Sequence, residues 1–416
     1  MSVVVSHPTG NANLRAVLRA VAGAERLDSF WTALALPPPL ASTPLLGDGI
    51  RRELARRCFP EVPWRRVRTR LRREVVRLGA RALGWRGLHR HEVGWASVDG
   101  VYHDLDARVA AYVRAAGAQR PARAVYAYED GALATFRAAR ARGVTCLYDL
   151  PIAHWRTLRR LLAEEAELQP AWAATMEGLR DSAAKLARKD EELRLADRVV
   201  VASSFTRRSL EEHFGDALAV TVTPYGAPPP LVDAPAVRRR DAPLHLLYAG
   251  HLAQRKGLAY LVAALARLDV PWRLTLAGPK PAAAPAALEA LLADPRCDWL
   301  GTVPHATLLE AMTRAHVFVF PSIVEGFGMV LYEAMAAGLP VITTPNTAGP
   351  DILTEGVEGF VVPIRDPDAI AERIAALAAD EDRRQAMATA ALATAAASGW
   401  RAYEDRISAL LDEVLD

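Results

Sequence analysis

Short apolar runs rich in valine and leucine alternate with longer stretches of helical period along the chain. VVVS (3–6) reads as a buried strand, the turn HPTGN follows it, and a helix is expected from Asn13 to Ala22. AVYAY (124–128), VTCLYDL (144–150) and RVVVAS (198–203) repeat the pattern, each flanked by helical stretches. Ser203 and Ser204 are placed to cap the helix FTRRSLEEHF, because a hydroxyl there accepts from a free first-turn amide. TVTPYG (221–226) closes this half. Strands alternating with helices predict a parallel sheet covered on both faces.

Residues 227–243 carry prolines and charges without apolar period, the composition of a linker. Beyond it the alternation resumes. LHLLYAG (244–250), WRLTLAG (272–278), HVFVFPS (316–322), VITTP (341–345) and GFVVP (359–363) read as strands. GLAYLVAALARL (257–268) and MVLYEAMAAG (329–338) read as helices; the second ends in a capping glycine, and Pro340 blocks its continuation. From about Asp366 the pattern is helical. The expected organisation is therefore a domain over 1–226, a linker over 227–243, a second domain over 244–398 and a terminal helix over 399–416. Both domains read as doubly wound, Rossmann-like α/β sheets facing a cleft. Such sheets bind ligands at the carboxyl ends of their strands.

Composition narrows the class. The chain of 416 residues is too long for one ordinary core, and 51% hydrophobic with 24% charged residues is a globular balance. Cys58, Cys146 and Cys297 are odd in number and far apart, which argues against a disulfide framework or zinc site and fits a reducing cytoplasm. The sequence MSVVVSHPTG lacks a signal-peptide pattern, and no apolar run reaches membrane-spanning length.

The net charge of +3 conceals an asymmetry. Residues 51–90 hold 14 arginines against Glu53, Glu61 and Glu74, which points to an anionic partner. Within this stretch, apolar residues at 64, 67, 71, 75, 78 and 83 predict a helix over 63–85, with Pro63 in its first turn. Two readings stay open. The stripe packs on the N-terminal domain and the arginines face water, or the helix lies on an anionic membrane, at the inner face, or binds a charged acceptor. Aromatic residues do not interleave the arginines in a recognisable nucleic-acid module, so no nucleic-acid partner is expected.

The most informative chemistry lies in PSIVEGFGMVLYEAMAAGLPVITT (321–344). A strand ends at Pro321, a glycine-bearing loop follows and a helix begins. Gly326 and Gly328 permit close backbone approach. The helix start at Met329 and Val330 offers free amides and a dipole to phosphate oxygens. Glu325 and Glu333 put carboxylates at two depths, each able to accept from the paired hydroxyls of a sugar or ribose. In AGHLAQRKGLAYLVAAL (249–265), a strand ends at Gly250 and a loop delivers Arg255 and Lys256 to a second helix start. A guanidinium fork and an ammonium point charge there suit a diphosphate. Asp104-Leu105-Asp106 and Asp366-Pro367-Asp368 both precede helical runs and read as caps. HRH (89–91) lacks further ligands at sensible spacing, so no metal is expected.

The pair of glutamates in E-GFGMVLY-E resembles the signature of the retaining GT-B glycosyltransferases of family four, the group 1 type. The resemblance implies that Glu325 contacts sugar hydroxyls and Glu333 holds the ribose. It implies that the backbone of Gly326, Phe327 and Gly328 meets sugar and diphosphate. The stretch from Gly250 is similar to the family's G-R-L-x-x-x-K-G, with His251 in place of that arginine, Arg255 as a substitute cation and Lys256 in register. Gly301–Val303 resembles the loop framing the nucleobase, and Ala348-Gly349-Pro350-Asp351 stands where the family has Gly-Gly-x-Pro-Glu. In the N-terminal half, Gly10-Asn11 resembles a glycine turn approaching donor or acceptor. The family's histidine after a central strand is displaced in YDLPIAHW (148–155), leaving Asp149 and His154 as candidates for the catalytic polar group. Glu129-Asp130 is a candidate acceptor contact, and the last helix is expected to cross back onto the N-terminal domain.

The implied activity is metal-independent transfer, with retention, from a nucleotide diphosphate sugar to a hydroxyl of a small-molecule, lipid-linked or saccharide acceptor, without a cofactor. A GT-B-like epimerase or phosphorylase, or a non-catalytic nucleotide-sugar-binding protein, would share these features. The resemblance is close over roughly 195–416 and only in outline before that.

Overall fold

The computed structural model describes residues 2–37, 55–115, 122–176, 180–239 and 241–415. Its strands form two sheets. The first contains β1 (Val3–Ser6), β2 (Leu27–Thr32), β3 (Val67–Thr69), β4 (Ala124–Tyr128), β5 (Thr145–Leu150), β6 (Arg198–Val201) and β7 (Val220–Val222). The second contains β8 (Leu244–Ala249), β9 (Trp272–Ala277), β10 (Cys297–Gly301), β11 (Val317–Phe320), β12 (Val341–Thr343) and β13 (Gly359–Val361). Their orders are β3-β2-β1-β4-β5-β6-β7 and β10-β9-β8-β11-β12-β13, with every pairing parallel. Strand order reverses between β1 and β4 and between β8 and β11, which opens a crevice at the carboxyl ends of each sheet.

The central strands β1, β8 and β11 are buried along their whole length, which is why they read as unbroken apolar runs. Strands β2, β3 and β10 did not stand out. In β2 the polar Ser29 is buried, and the Trp31 indole donates to its hydroxyl at 3.0 Å. The helix expected over 63–85 is shorter. Trp64–Arg66 is a 3-10 turn, Val67–Thr69 pairs with Phe30–Thr32, and the helix runs Leu71–Ala82. Edge pairing overrides the helical period there. Asp104-Leu105-Asp106 also departs from expectation: it lies inside the Val98–Ala115 helix. Asp106 nevertheless caps, accepting from the amides of Ala134 and Thr135 at 2.8 Å in the neighbouring Leu133–Arg140 helix. Ser203 and Asp366 cap their own helices, accepting from the amides of Thr206 and Ala369.

The arginine-rich helix overturns the packed-stripe reading. Leu71, Val75 and Leu78 are 41%, 53% and 37% exposed, and of the six stripe positions only Val67 is buried. Glu74 points inward instead, held by Arg77 at 2.7 Å and Arg57 at 3.3 Å. Residues 51–54 of the basic segment, Glu53 among them, lie outside the described residues.

Residues 227–243 run along the second domain. The Leu231 amide donates to Ala336 O, and fully buried Arg384 donates to the carbonyls of Ala236 and His316. The Trp400–Leu415 helix lies on the Ala12–Gly23 helix, with Arg19–Glu404 and Arg198–Glu413 pairs at 2.6 Å. One apolar cluster takes in Leu14 and Tyr225 from the first domain, Phe327 from the second and Tyr403 from the last helix, so the domains share a packed contact beside the cleft. Among the described residues no helix is long and apolar enough to cross a membrane.

Candidate active site

The carboxyl ends of β8 and β11 deliver the two loops singled out above. After β8, a 3-10 turn Gln254–Lys256 ends at Gly257, whose φ of 72° is left-handed. A side chain there would collide, since a Cβ would lie 1.8 Å from Pro321 O. This contact presses the turn against the end of β11. There the Lys256 ammonium meets the Glu325 carboxylate and lies 5.0 Å above the Phe320 ring. Arg255 donates to Val324 O at 2.9 Å and stands 3.8 Å from Glu325. The Glu325 amide donates to Asn346 O at 3.1 Å, and the Asn346 side chain donates to Ile323 O at 2.8 Å. The loop is thus tied on both sides.

Burial and the Arg255 charge push the Lys256 ammonium well below the usual lysine range. The Glu325 carboxylate is in contact with that ammonium. A second anion entering beside Lys256 would meet an under-compensated cation.

The Met329–Ala336 helix begins at left-handed Gly328, and no side chain caps it. The Leu331 amide turns back to Gly328 O at 2.9 Å, while the amides of Met329 and Val330 have no protein partner among the described residues. They open on a cavity of about 450 Å³ between the domains. Gly250, Lys256, Phe320, Glu325 and Phe327 to Val330 form its wall in the second domain. Asn11, Asn13, Pro151 and Tyr225 close it from the first domain, and Trp400 from the last helix.

Several candidates stand outside that wall. Gly326 is wedged into the domain contact: a Cβ would lie 1.8 Å from Pro151 O, and its carbonyl accepts from Ser203 Oγ at 2.6 Å and Thr206 Oγ1 at 3.3 Å. Gly10 abuts the Phe59 ring, and the next residues, Asn11 to Asn13, reach the cavity in its place. Glu333 sits just inside the helix, 2.9 Å from His305 Nε2. Val303 follows β10 and is half-buried, and the His251 carbonyl accepts from the Tyr248 hydroxyl at 2.9 Å.

The two candidate polar groups of the first domain separate. Asp149 ends β5 behind Tyr225, 3% exposed, with Oδ2 unpartnered among the described residues. Burial pushes its carboxyl up to about 7; the Tyr126 hydroxyl opposes this and the Glu129 charge adds to it. His154 is directed elsewhere. Its Nε2 lies 3.0 Å from Asp190, its ring packs on Trp155 and Phe214, and burial pushes it down to about 4 despite Asp190.

Beside the 151–153 turn lies a smaller cavity of about 170 Å³, walled by Glu129, Trp155, Arg159, Asp181 and Lys189. Lys189 pairs with Glu129 at 3.0 Å, and Asp130, with φ 65°, stands 3.5 Å from both Lys185 and Lys189. A third hollow, about 400 Å³, lies over His245, Arg273 and Thr275, remote from both glycine loops. It is nearly as large, but His245 Nε2 is already bonded to Thr275 at 2.8 Å. One trio among the described residues, His91, Glu92 and Asp181, lies within metal-ligating distance, yet Lys185 already stands 3.3 Å from Asp181. None of the three lines the large cavity.

Sequence reasoning missed Asn13, Pro151, Tyr225 and Trp400, which join the wall only in three dimensions. It also missed His7, where a polar residue directly follows an apolar strand. His7 is 1% exposed, its ring 4.2 Å from Tyr128 and its Nε2 unpartnered among the described residues. Burial holds it at about 4.

Residues 233–394 match the family model described as Glycosyl transferases group 1. A D-inositol 3-phosphate glycosyltransferase of Pseudarthrobacter chlorophenolicus is 33% identical over 227 residues, 49% of this chain and 53% of that one. Glycogen synthase of Mycobacterium tuberculosis is 31% identical over 219 residues, 48% and 50% of the two chains. The chain thus spans about half the length of these curated relatives. Among solved structures, sucrose-phosphate synthase from Thermosynechococcus elongatus superposes with TM-score 0.66 at 19% identity, covering 99% of this chain and 98% of the other. Anabaena HepE in complex with UDP-glucose gives 0.62 at 16% identity, covering 99% and 100%. Two facing Rossmann-like domains with a cleft between them define the GT-B fold, shared over the whole chain. Within that fold, the second domain carries the match to the group 1 glycosyl transferases.

Proposed function

We propose that the protein transfers a sugar from a nucleotide diphosphate sugar to an acceptor hydroxyl, with retention and without a metal. The observation that carries this reading is the buried Lys256 beside an uncapped helix start in the interdomain cavity. A diphosphate placed there draws Lys256 away from Glu325. The freed carboxylate then accepts from the sugar hydroxyls. As the glycosidic bond breaks, charge accumulates on the departing phosphate, where Lys256 and the amides of Met329 and Val330 already point. That does the work a bound cation does elsewhere. Glu333 lies just inside the same helix and takes the ribose by this reading, and Val303 flanks the base. No carboxylate stands as an evident covalent nucleophile, so the acceptor hydroxyl attacks on the face the phosphate leaves, and its proton passes to an oxygen of that departing phosphate. Asp149, behind Tyr225, orients or shuttles a proton on the acceptor side.

HepE, whose structure holds UDP-glucose, makes a uridine donor the first to test. The acceptor is a saccharide, lipid-linked or small-molecule hydroxyl bound from the first domain near Glu129. The reading places the enzyme in the cytoplasm, with the arginine-rich segment directed to an anionic membrane or acceptor. Incubation with UDP- and GDP-sugars and product analysis tests it, with EDTA added in parallel. A glycoside of unchanged anomeric configuration, formed equally with EDTA, is expected. Epimerised sugar or sugar phosphate would instead identify an epimerase or phosphorylase, and tight donor binding without turnover a binding protein.

A further inference from the structure

The Leu71–Ala82 helix is inside out. Its apolar residues Leu71, Val75 and Leu78 recur at helical spacing on one face, and that face is exposed. Its one acidic residue, Glu74, is 2% exposed and neutralised by Arg57 and Arg77 on the protein side. The stripe continues past the helix end into Leu83 and Trp85, 62% and 59% exposed. Trp95 lies beside the helix start, with the Arg73 guanidinium 5.0 Å from its ring. Of thirteen exposed large apolar side chains among the described residues, nine fall between Trp64 and Val98, so the exposure is one patch and not scatter.

The charge around this patch has one sign. Arg65, Arg68, Arg72, Arg81, Arg86 and Arg90 are exposed, and none has a carboxylate partner among the described residues. Between residues 64 and 98 the carboxylates are Glu74, buried, and Glu92, half-buried and accepting from the Ser182 amide at 2.7 Å. A protein partner with an apolar face would leave the arginines uncompensated unless it were also acidic. A layer with an apolar interior under a phosphate surface satisfies both features at once.

We propose that this surface docks the protein on an anionic lipid bilayer, with the Leu71–Ala82 helix lying in the headgroup plane, Leu83 and Trp85 entering the acyl boundary and the arginines meeting phosphates. The patch adjoins the smaller cavity, since His91 lies 3.1 Å from Asp181 in that cavity's wall. Docking therefore brings the acceptor side of the cleft to the membrane. The docking itself rests on the surface of the first domain, and only the orientation of the acceptor side rests on the glycosyl-transfer reading.

The test is flotation of the full chain with vesicles of phosphatidylcholine alone or with about one third phosphatidylglycerol. Binding is expected only to the anionic vesicles, weakening as salt rises. The double variant Val75→Asp/Leu78→Asp should bind about tenfold more weakly or worse. So should Arg72→Glu/Arg81→Glu, with melting temperature and donor binding unchanged for both because these side chains are already exposed. Equal binding to both vesicle types, or full binding by both variants, overturns the proposal. So does a concentration-dependent dimer in ultracentrifugation that Val75→Asp/Leu78→Asp abolishes, because it would assign the face to a second copy.

Discussion

Glu325 and Lys256 lie 69 residues apart in the chain and share one charge-assisted contact in the cavity wall. If that contact is exchanged for a diphosphate, Lys256→Ala removes a charged hydrogen bond of about 1.5–3 kcal/mol. Donor affinity should then fall about ten- to hundredfold in calorimetry. Glu325→Gln should spare nucleoside diphosphate binding and reduce turnover; equal loss of both would contradict the separate roles. Asp149 makes a prediction of opposite character. Its folded value of about 7 lies above the unfolded carboxylate range, so its contribution to stability is complete below about pH 4 and declines as pH rises to 7. Asp149→Asn should therefore raise the melting temperature more at pH 8 than at pH 5 while slowing transfer. A larger gain at pH 5 would remove the buried, protonated carboxyl from the account.

Among the elements, the Ser204–Phe214 helix carries an unusual load. Its cap, Ser203, closes its own first turn and also donates to Gly326 O in the other domain. Ser203→Ala should cost about 1–3 kcal/mol, the loss of a helix cap plus a buried hydrogen bond. It should also loosen the Gly326 loop, raising the donor dissociation constant without touching the ligand; denaturant unfolding with donor titration checks both. Gly326→Ala should be worse, because its Cβ has only 1.8 Å to Pro151 O and a backbone neighbour cannot swing away. A variant as stable and active as the parent would show that the domain contact is not closed in solution. The sequence showed the strand, loop and helix around Glu325 through glycine spacing and capping, all local effects. It did not show that Gly326 turns to the other domain while Gly328 serves the cavity, because two glycines two residues apart carry the same local signal.

Across the whole molecule, four histidines, His7, His154, His245 and His316, are held at about 4, burial being the leading cause in each. They are neutral when folded and take up protons on unfolding below about pH 6.5. Their contribution to stability is present above that value and is lost as pH falls towards 4, by up to about 1.4 kcal/mol per histidine per pH unit. Melting temperature should accordingly drop steeply between pH 6.5 and 4, and a flat profile there would place these rings in water.

The amino-acid order determined what depends on near neighbours. Unbroken apolar runs set the central strands β1, β4, β8 and β11. Glycines and capping residues set where helices start, and the loops bearing Lys256 and Glu325 at two strand ends pointed to one wall of the cavity. Tertiary structure alone decided the rest. Edge pairing drew Val67–Thr69 out of a helical pattern, because a hydrogen-bonded neighbour outweighs side-chain period. The Glu74 ion pairs turned the arginine-rich helix apolar side out, a choice the stripe leaves open since both faces have the same period. The cavity itself needed two domains at a fixed angle. Asn13, Pro151, Tyr225 and Trp400 come from four separate elements, and only their packing against the glycine loop makes them one wall.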